Sequence, residues 1–276
     1  MILYTYWRSS AAHRVRIALR LKGLTPEERY INVMETGPHR QSYLAVNPQG
    51  SVPSLDDDGV LMNQSLAIIE YLDECYPDPP LMPPDAPERA RVRAISLNIA
   101  CEIHPVVTPR TVNALGTMFD VSPERRTAWS EHWTHYGLKA VETRLEHPPA
   151  TGRFCHGDTP TVADLCAVPQ LQLAQTLGFD LSGYPTMLRI EKNAWSSRPF
   201  SYRHLRNNQI SRAQPRQSPR QRKKCPTLSH PAAIGTNLAA SSSRRSISSR
   251  PSACSWKLIR STPASRNRLI SSSLSK

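Results

Sequence analysis

Residues 6–19 read Tyr6-Trp7-Arg8-Ser9-Ser10-Ala11-Ala12-His13-Arg14-Val15-Arg16-Ile17-Ala18-Leu19. They follow a short apolar run, Ile2-Leu3-Tyr4, which predicts a β-strand. Beyond the two serines, apolar side chains recur with helical spacing at Val15, Ala18, Leu19 and Leu21. The pattern therefore predicts a strand that turns into a helix, with Ser9 or Ser10 as its N-cap or in its first turn.

A serine at this position has two interpretations. A helix N-terminus offers free backbone N–H groups, a hydroxyl donor and the positive end of the helix dipole. Such a place can hold an anion, and a thiolate is one anion that chemistry can use there. Serine is also a preferred cap of many helices, so simple capping is the alternative.

The first 76 residues predict the order strand, helix, strand, helix, strand, strand, helix. Strands are predicted at Ile2–Tyr6, Glu28–Asn32, Ser54–Leu55 and Val60–Met62, and helices at Ala11–Lys22, Gln41–Ala45 and Ser65–Cys75. The run Asp56-Asp57-Asp58-Gly59 is a hairpin turn signal between the last two strands. This order predicts an α/β domain of thioredoxin type over residues 1–76.

The next part of the chain predicts a linker and a second, all-α domain. Residues 77–85 are dense in proline, which excludes a helix interior or a central strand. Periodic apolar residues then predict helices at Arg89–Ile103, Glu124–Glu146, Thr161–Thr176 and Pro185–Asn193. The helical domain therefore covers residues 86–195. Thr161 and Asp164 have the spacing of a capping box, which explains them as a folding element without a catalytic role.

The charge of the chain changes abruptly near residue 196. The formal net charge of the 276 residues is +13, yet all 22 acidic residues precede that point and outnumber the 18 basic residues there. Residues 196–276 contain 17 Lys and Arg and are rich in Ser, Arg and Pro. Such a composition buries too little apolar surface to offset ordering entropy. We therefore expect a basic tail at 196–276 that is disordered, or an out-of-frame or spliced-on translation.

Several classes of protein and site are disfavoured by the sequence. A run of 18 apolar residues and a secretory signal are both missing, so we expect no membrane association. The six cysteines form no Cys-x-x-Cys or Cys/His cluster, which predicts no metal site and a reducing, cytoplasmic location. The basic tail can attract nucleic acid non-specifically, but its few aromatic residues argue against a dedicated site.

The segment from Arg8 to Leu19 resembles the opening signature of zeta-class glutathione transferases. Residues 63–72, Asn63-Gln64-Ser65-Leu66-Ala67-Ile68-Ile69-Glu70-Tyr71-Leu72, are also similar to the pattern of that family. The resemblance extends to about Asn193. One departure is Ala11, where many members carry a cysteine. The resemblance implies glutathione as cofactor, no metal, a homodimer, and a thioredoxin-like domain followed by an all-helical domain.

The resemblance also implies where glutathione would bind. Ser9 would stabilise the glutathione thiolate, with Ser10 and Arg8 beside it as further catalytic residues. Val52 would pair its main chain with the cysteinyl part, ahead of a cis Pro53. Further glutathione-binding residues implied by the resemblance are Gln49, Gln64, Ser65 and His104. Gln64 and Ser65 would hold the γ-glutamyl carboxylate at a helix N-terminus, although Ser65 is also a natural N-cap.

The substrate implied by the resemblance is a small dicarboxylate. Arg8 and Arg110 would bind its carboxylates, because an arginine fork matches a carboxylate. The implied reaction converts maleylacetoacetate to fumarylacetoacetate in tyrosine and phenylalanine breakdown, by thiolate addition, rotation about the resulting single bond, and elimination.

Three alternatives remain open at this point. One is isomerisation of maleylpyruvate, which is disfavoured because Gln175 and Thr176 stand where some relatives carry a third arginine. Another is a broader transferase that conjugates glutathione to small electrophiles through the same thiolate site. The third, from a different functional class, is a non-catalytic module with the same fold.

Overall fold

A four-stranded mixed sheet forms from the first quarter of the chain. The computed structural model describes residues 1–34, 38–146 and 150–200. The strands are β1 (Ile2–Thr5), β2 (Glu27–Tyr30), β3 (Ser54–Asp57) and β4 (Val60–Asn63), in the order β2-β1-β3-β4. β1 is parallel to β2 and antiparallel to β3, and β3 is antiparallel to β4. The predicted order of strands and helices is confirmed.

The predicted hairpin turn joins β3 to β4. Asp58 and Gly59 form its two central residues and have φ angles of 54° and 88°. Glycine adopts this region without strain, and aspartate is among the few other residues that tolerate it. The Gly59 N–H donates to Asp56 Oδ1 at 2.8 Å, which fixes the turn from its own strand.

Nine α-helices are described. They are α1 (Ser10–Leu21), α2 (Pro38–Val46), α3 (Ser65–Cys75), α4 (Ala86–Leu97), α5 (His104–Val107), α6 (Pro109–Phe119), α7 (Pro123–Leu145), α8 (Val162–Thr176) and α9 (Pro185–Trp195). A π-helical stretch, Asn98–Ile103, connects α4 to α5. Neither α5 nor α6 was predicted from the sequence. Pro109 occupies the first helical position of α6, where proline is tolerated. The predicted α/β-plus-helical fold class is confirmed.

Helix α1 is buried on all its faces. It packs on α3 beside the sheet and on α8 from the helical region. Its apolar side chains Val15 and Ala18 belong to the main core. Charged residues of a helix normally lie in solvent, but Arg14 and Arg16 are only 2% and 1% exposed. The reason is tertiary, since α1 packs on α8 as well as on α3, and the two arginines bond to Ser65 and to the segment before α1.

Hydrogen bonds hold the chain after α3 against the end of α1 and against α3. Lys22 Nζ donates to Asp73 Oδ1 and to the Pro79 carbonyl, each at 2.6 Å. Asp73 Oδ1 also accepts the Leu81 N–H at 2.8 Å. Lys22 is buried, and its pairing with a carboxylate and a carbonyl satisfies the charge. These bonds position the segment that leads into α4.

The capping box predicted at the start of α8 is present. The Asp164 carboxylate accepts the Thr161 N–H at 2.8 Å and the Thr161 hydroxyl at 3.0 Å. Its other oxygen accepts the Cys155 N–H at 2.7 Å. Burial raises the pKa of the Asp164 carboxyl, and these hydrogen bonds oppose that rise. The contacts support the folding role that the sequence predicted for this motif.

The predicted tail at 196–276 is described only over its first five residues. There a short 3₁₀ turn, Arg198–Phe200, lies against α1. Phe200 is 0% exposed and joins the main core, and Arg20 Nη1 donates to the Pro199 carbonyl at 3.4 Å. The expectation for residues 201–276 lies outside the described residues.

Membrane-spanning helices and clusters of metal ligands are both absent from the described part of the chain. No helix in it is long and apolar enough to cross a bilayer. Nor do three or more His, Cys, Asp or Glu side chains gather there as metal ligands would.

Candidate active site

The N-terminus of α1 begins at the serine pair. Ser9 is the N-cap, with extended φ and ψ of −79° and 114°, and its Oγ accepts the Ala12 N–H at 3.1 Å. Because this bond uses an oxygen lone pair, the Ser9 hydroxyl hydrogen remains available to a second acceptor. The arrangement therefore presents a hydroxyl donor at the positive end of a buried helix.

Ser10 has a different partner. Its Oγ lies 3.2 Å from His104 Nδ1, across the junction between α1 and the helical region. Burial lowers the pKa of His104 to about 3, and the positive charge of Arg14 lowers it further. His104 is therefore a neutral imidazole near pH 7 and hydrogen-bonds the serine as one of its two tautomers.

Arg16 fixes the loop that carries Arg8 and the serines. Its Nη1 donates to Thr5 Oγ1 at 2.5 Å and to the Tyr6 carbonyl at 3.2 Å, and its Nη2 donates to the Trp7 carbonyl at 3.4 Å. A planar guanidinium can make such divergent bonds at once. The loop between β1 and α1 is thus held from inside the helix that follows it.

The loop before β3 brings Val52 and Pro53 beside α1. Their peptide bond is cis, and buried Val52 packs in a small cluster with Tyr6, Ala12 and Tyr43. Ser51, the residue before Val52, offers its carbonyl to the Tyr43 hydroxyl at 2.8 Å and to Asn47 Nδ2 at 2.7 Å. Buried polar side chains therefore set the path of the loop at the predicted glutathione-binding residues.

Gln49 and Gln64 meet at the N-terminus of α3. Gln64 Nε2 donates to Gln49 Oε1 at 2.9 Å. Gln64 is the N-cap residue, with φ of 69°, and its side chain makes no capping bond to the helix. Ser65 is the first helical residue, so the alternative of Ser65 as the N-cap is wrong. The first N–H groups of α3 thus lie beside two amide side chains, with no side chain of its own cap residue bound to them.

Arg14 is a site residue that the sequence analysis did not identify. Its Nη1 donates to Ser65 Oγ at 3.3 Å, so α1 contacts the start of α3 through this side chain. Arg14 also contributes charge at His104. No signal in the sequence indicated this role, since a charged residue in a helix is normally expected to lie in solvent.

The two predicted substrate arginines lie on exposed parts of the chain. Arg8 stands over the Trp7 ring, with its guanidinium carbon 5.6 Å from the ring centre. Arg110 is exposed in the first turn of α6. No contact among the described residues joins either arginine to the serine pair. At the position of the missing third arginine, Gln175 Nε2 donates to Glu191 Oε2 on α9 at 2.7 Å.

The residues present fit glutathione. The tripeptide has a thiol, a peptide backbone and two terminal carboxylates, one of them on the glutamyl residue. The Ser9 hydroxyl suits a thiolate, and the first turn of α3 with Ser65 suits a carboxylate. The buried guanidinium of Arg14, of which Nε and Nη2 have no hydrogen-bond partner among the described residues, adds positive charge next to that turn.

Comparison with known proteins shows the family to which the chain belongs. Residues 3–80 match the N-terminal domain family of glutathione S-transferases. A probable maleylacetoacetate isomerase of Vibrio cholerae is 42% identical over 69% of this chain and 88% of its own length. A maleylpyruvate isomerase of a Ralstonia species is 40% identical over 69% and 90%, respectively.

Solved structures extend the similarity to the whole described fold. A maleylacetoacetate isomerase of Methylobacterium extorquens with bound malonate and glutathione has a TM-score of 0.71 and 39% identity, over 74% of this chain and 96% of that one. The holo structure of a maleylpyruvate isomerase, described as a bacterial glutathione transferase of the zeta class, has a TM-score of 0.70 and 38% identity, over 72% and 94%. The chain therefore belongs to the zeta-class glutathione transferase family.

Proposed function

We propose that the protein is a glutathione-dependent cis–trans isomerase that converts maleylacetoacetate to fumarylacetoacetate. The observation that carries the proposal is the N-terminus of α1, where Ser9 offers a hydroxyl and Ser10 contacts His104. Relatives named for this activity, such as the one from Vibrio cholerae, support the choice of reaction. Breakdown of tyrosine and phenylalanine is the proposed setting.

The protein's own residues bind and orient the reactants. Glutathione, when bound, supplies a thiolate nucleophile that adds reversibly to a cis double bond conjugated to a carbonyl. Ser9 donates its hydroxyl hydrogen to the sulfur, and the α1 dipole favours its negative charge. Val52 pairs its main chain with the cysteinyl part, and the first turn of α3 with Ser65 holds the glutamyl carboxylate.

Arg8 and Arg110 are the proposed carboxylate-binding residues for the substrate. Both are exposed, so an incoming dianion can reach their guanidinium groups without displacing a buried partner. Their charge also stabilises negative charge that develops on the substrate carbonyl oxygen during the reaction. Bound at both ends, the substrate is held while the central bond rotates.

Maleylpyruvate is the second candidate substrate, because the Ralstonia relative is named for it. The position of Gln175 counts against maleylpyruvate, since this neutral side chain stands where some relatives carry a third arginine. Gln175 is hydrogen-bonded to Glu191 instead. Conjugation of glutathione to small electrophiles would use the same serine site. A binding module without catalysis is the alternative from another class.

A glutathione-dependent isomerase assay on the full chain tests the proposal. Maleylacetone serves as substrate analogue, with maleylpyruvate and a conjugation substrate in parallel. We expect turnover of maleylacetone only with glutathione, and a loss of about 10²–10³-fold in kcat/KM in Ser9→Ala. Protein that binds glutathione and isomerises neither cis substrate would overturn the proposal, and conjugation in its place would favour the transferase.

We also propose a homodimer in the cytoplasm. The edge strand β4 exposes Val60 and Leu61, and α4 exposes Leu97, so apolar surface is available on both layers. An ion pair of 3.4 Å between Arg93 and Glu70 joins α3 to α4 in the same part of the chain. Light scattering should give twice the chain mass, and a monomer at micromolar concentration would contradict the proposal.

The domain limits 1–76, 77–85, 86–195 and 196–276 remain predictions.

A further inference from the structure

Arg14 is a buried arginine with few partners. It is 2% exposed, and its Nη1 donates to Ser65 Oγ at 3.3 Å. Its Nε and Nη2 have no hydrogen-bond partner among the described residues. Buried charges are normally paired, because an isolated charge in a low dielectric is costly. The Arg14 guanidinium therefore places a positive charge beside the start of α3, and two of its nitrogen atoms lack a hydrogen-bond partner among the described residues.

The direction of the hydrogen bond between Arg14 and Ser65 indicates which kind of group can bind beside this charge. Arg14 has no acceptor, so it is the donor in this bond and Ser65 Oγ accepts. The Ser65 hydroxyl hydrogen must then point to another acceptor. At a helix N-terminus, the free N–H groups and this hydroxyl together suit a carboxylate.

Two titratable side chains near Arg14, His104 and Cys166, are neutral near pH 7. His104 is neutral near pH 7 because burial, and the charge of Arg14 after it, lower its pKa. Burial raises the pKa of the Cys166 thiol despite an opposing effect of Arg14, so this thiol is neutral as well. No carboxylate among the described residues forms an ion pair with Arg14. An anion bound at the start of α3 would provide the missing counter-charge.

We propose that Arg14 is a positioning residue for the α-carboxylate of the glutamyl residue of glutathione. It orients the Ser65 hydroxyl toward that carboxylate and supplies the buried positive charge beneath it. The inference rests on the proposed glutathione site and deepens it. Arg14 should affect the affinity for glutathione and not the rate of the chemical step, since it acts at the end of glutathione remote from the thiol.

Calorimetric binding to full-length protein tests the inference with two ligands. Glutathione is compared with 4-aminobutanoyl-cysteinylglycine, which lacks only the glutamyl α-carboxylate. We expect Arg14→Met to weaken glutathione binding by about tenfold to a hundredfold. Binding of the analogue should change by less than about threefold, because the group that Arg14 serves is missing from it. Ser65→Ala should show the same dependence on the carboxylate.

Kinetics and a conservative variant complete the test. Arg14→Met should raise the KM for glutathione and leave kcat at saturating glutathione nearly unchanged, and Arg14→Lys should restore part of the affinity. If Arg14→Met does not fold, Arg14→Lys, which lacks the planar fork, carries the two-ligand comparison. Equal losses for both ligands, or no loss for glutathione, would overturn the inference. Wild-type protein that binds no glutathione would instead contradict the proposed function itself.

Discussion

At the scale of single residues, the two serines divide their work. Ser9 caps α1 through its oxygen and keeps its hydroxyl hydrogen for another acceptor. Ser10 is buried and its Oγ lies 3.2 Å from His104 Nδ1, whose tautomer decides which of the two atoms donates. Ser9 is therefore the donor to the thiolate in our account, and Ser10 links that helix end to the helical region.

The stability of the protein should fall in mild acid because of His104. The unfolded histidine has an ordinary pKa of 6.5, whereas burial and Arg14 lower the folded pKa to about 3. Between these values the unfolded state binds a proton that the folded state does not. Folding free energy contributed by neutral His104 is thus present above pH 6.5 and is lost as the pH falls toward 3, by about 2–3 kcal/mol at pH 4.5.

Urea unfolding of wild type and His104→Gln at pH 7.5 and 4.5 measures this effect. Glutamine keeps a hydrogen-bonding group for Ser10 and cannot be protonated in this range. Wild type should lose more stability between the two pH values than the variant does. An equal loss in both proteins would show that the charging of His104 does not govern the acid response.

Residue-level prediction succeeded where the function of a side chain depends on its neighbours in sequence. The helix start at the serine pair follows from local spacing, and so does the hairpin at Asp58 and Gly59. Arg14 escaped prediction, because its importance arises from burial against a distant part of the chain. No periodic pattern in a single sequence distinguishes a buried arginine from an exposed one.

At the scale of elements, the N-termini of α1 and α3 are the two proposed positions for binding glutathione. α1 begins with a serine that caps it, whereas α3 begins with Gln64, which makes no side-chain cap bond. A first turn of α3 that its own N-cap leaves unbonded is suited to an anion. The sequence predicted both helices, but it placed the cap of α3 one residue late.

The packing of α7 on the π-helical stretch depends on one glycine. A Cβ at Gly137 would overlap the Cγ1 and Cδ1 atoms of Ile103, which is itself fully buried. We expect Gly137→Ala to destabilise the protein by about 1–3 kcal/mol through overpacking. Gly183→Ala is the matched control, because its added Cβ meets no atom within 4 Å.

Thermal or urea unfolding of these two variants decides the point. Only Gly137→Ala should lose stability, and His104 lies directly after Ile103, so this variant should also lose activity. If both alanines are tolerated equally, the close approach of the two helices is not a constraint on the fold.

At the scale of the whole molecule, α1 joins the sheet layer to the helical region. One side packs on α3 and another on α8, and Ser10 reaches His104 across the junction. This explains why charged residues in α1 are buried although charged side chains of a helix normally lie in solvent. The order of elements could be predicted from local patterns, whereas the covering of α1 by α8 required contacts between residues far apart in sequence.

The folded part of the chain continues past the predicted limit at residue 195. Phe200 is fully buried in the main core, and Trp195 stacks on His13 with ring centres 6.4 Å apart. We expect Phe200→Ala to cost about 3–5 kcal/mol of unfolding free energy, as for other buried aromatic residues. Ser182→Ala, on an exposed turn, is a suitable surface control.

Equilibrium unfolding of full-length protein measures this cost. A loss near the expected size would place residues 196–200 within the cooperative unit. Wild-type stability in Phe200→Ala would mean that the chain from residue 196 onward contributes nothing to the fold, as the composition alone predicted.

The central claim is that the start of α1 holds glutathione as a thiolate through Ser9. Ultraviolet titration of the thiolate of protein-bound glutathione tests it most directly, in wild type and in Ser9→Ala. The account predicts that the pKa of bound glutathione in wild type lies well below that of a free thiol, about 8.5, and returns toward it in Ser9→Ala. A pKa near the free value in wild type, or one unchanged by the substitution, would contradict the account.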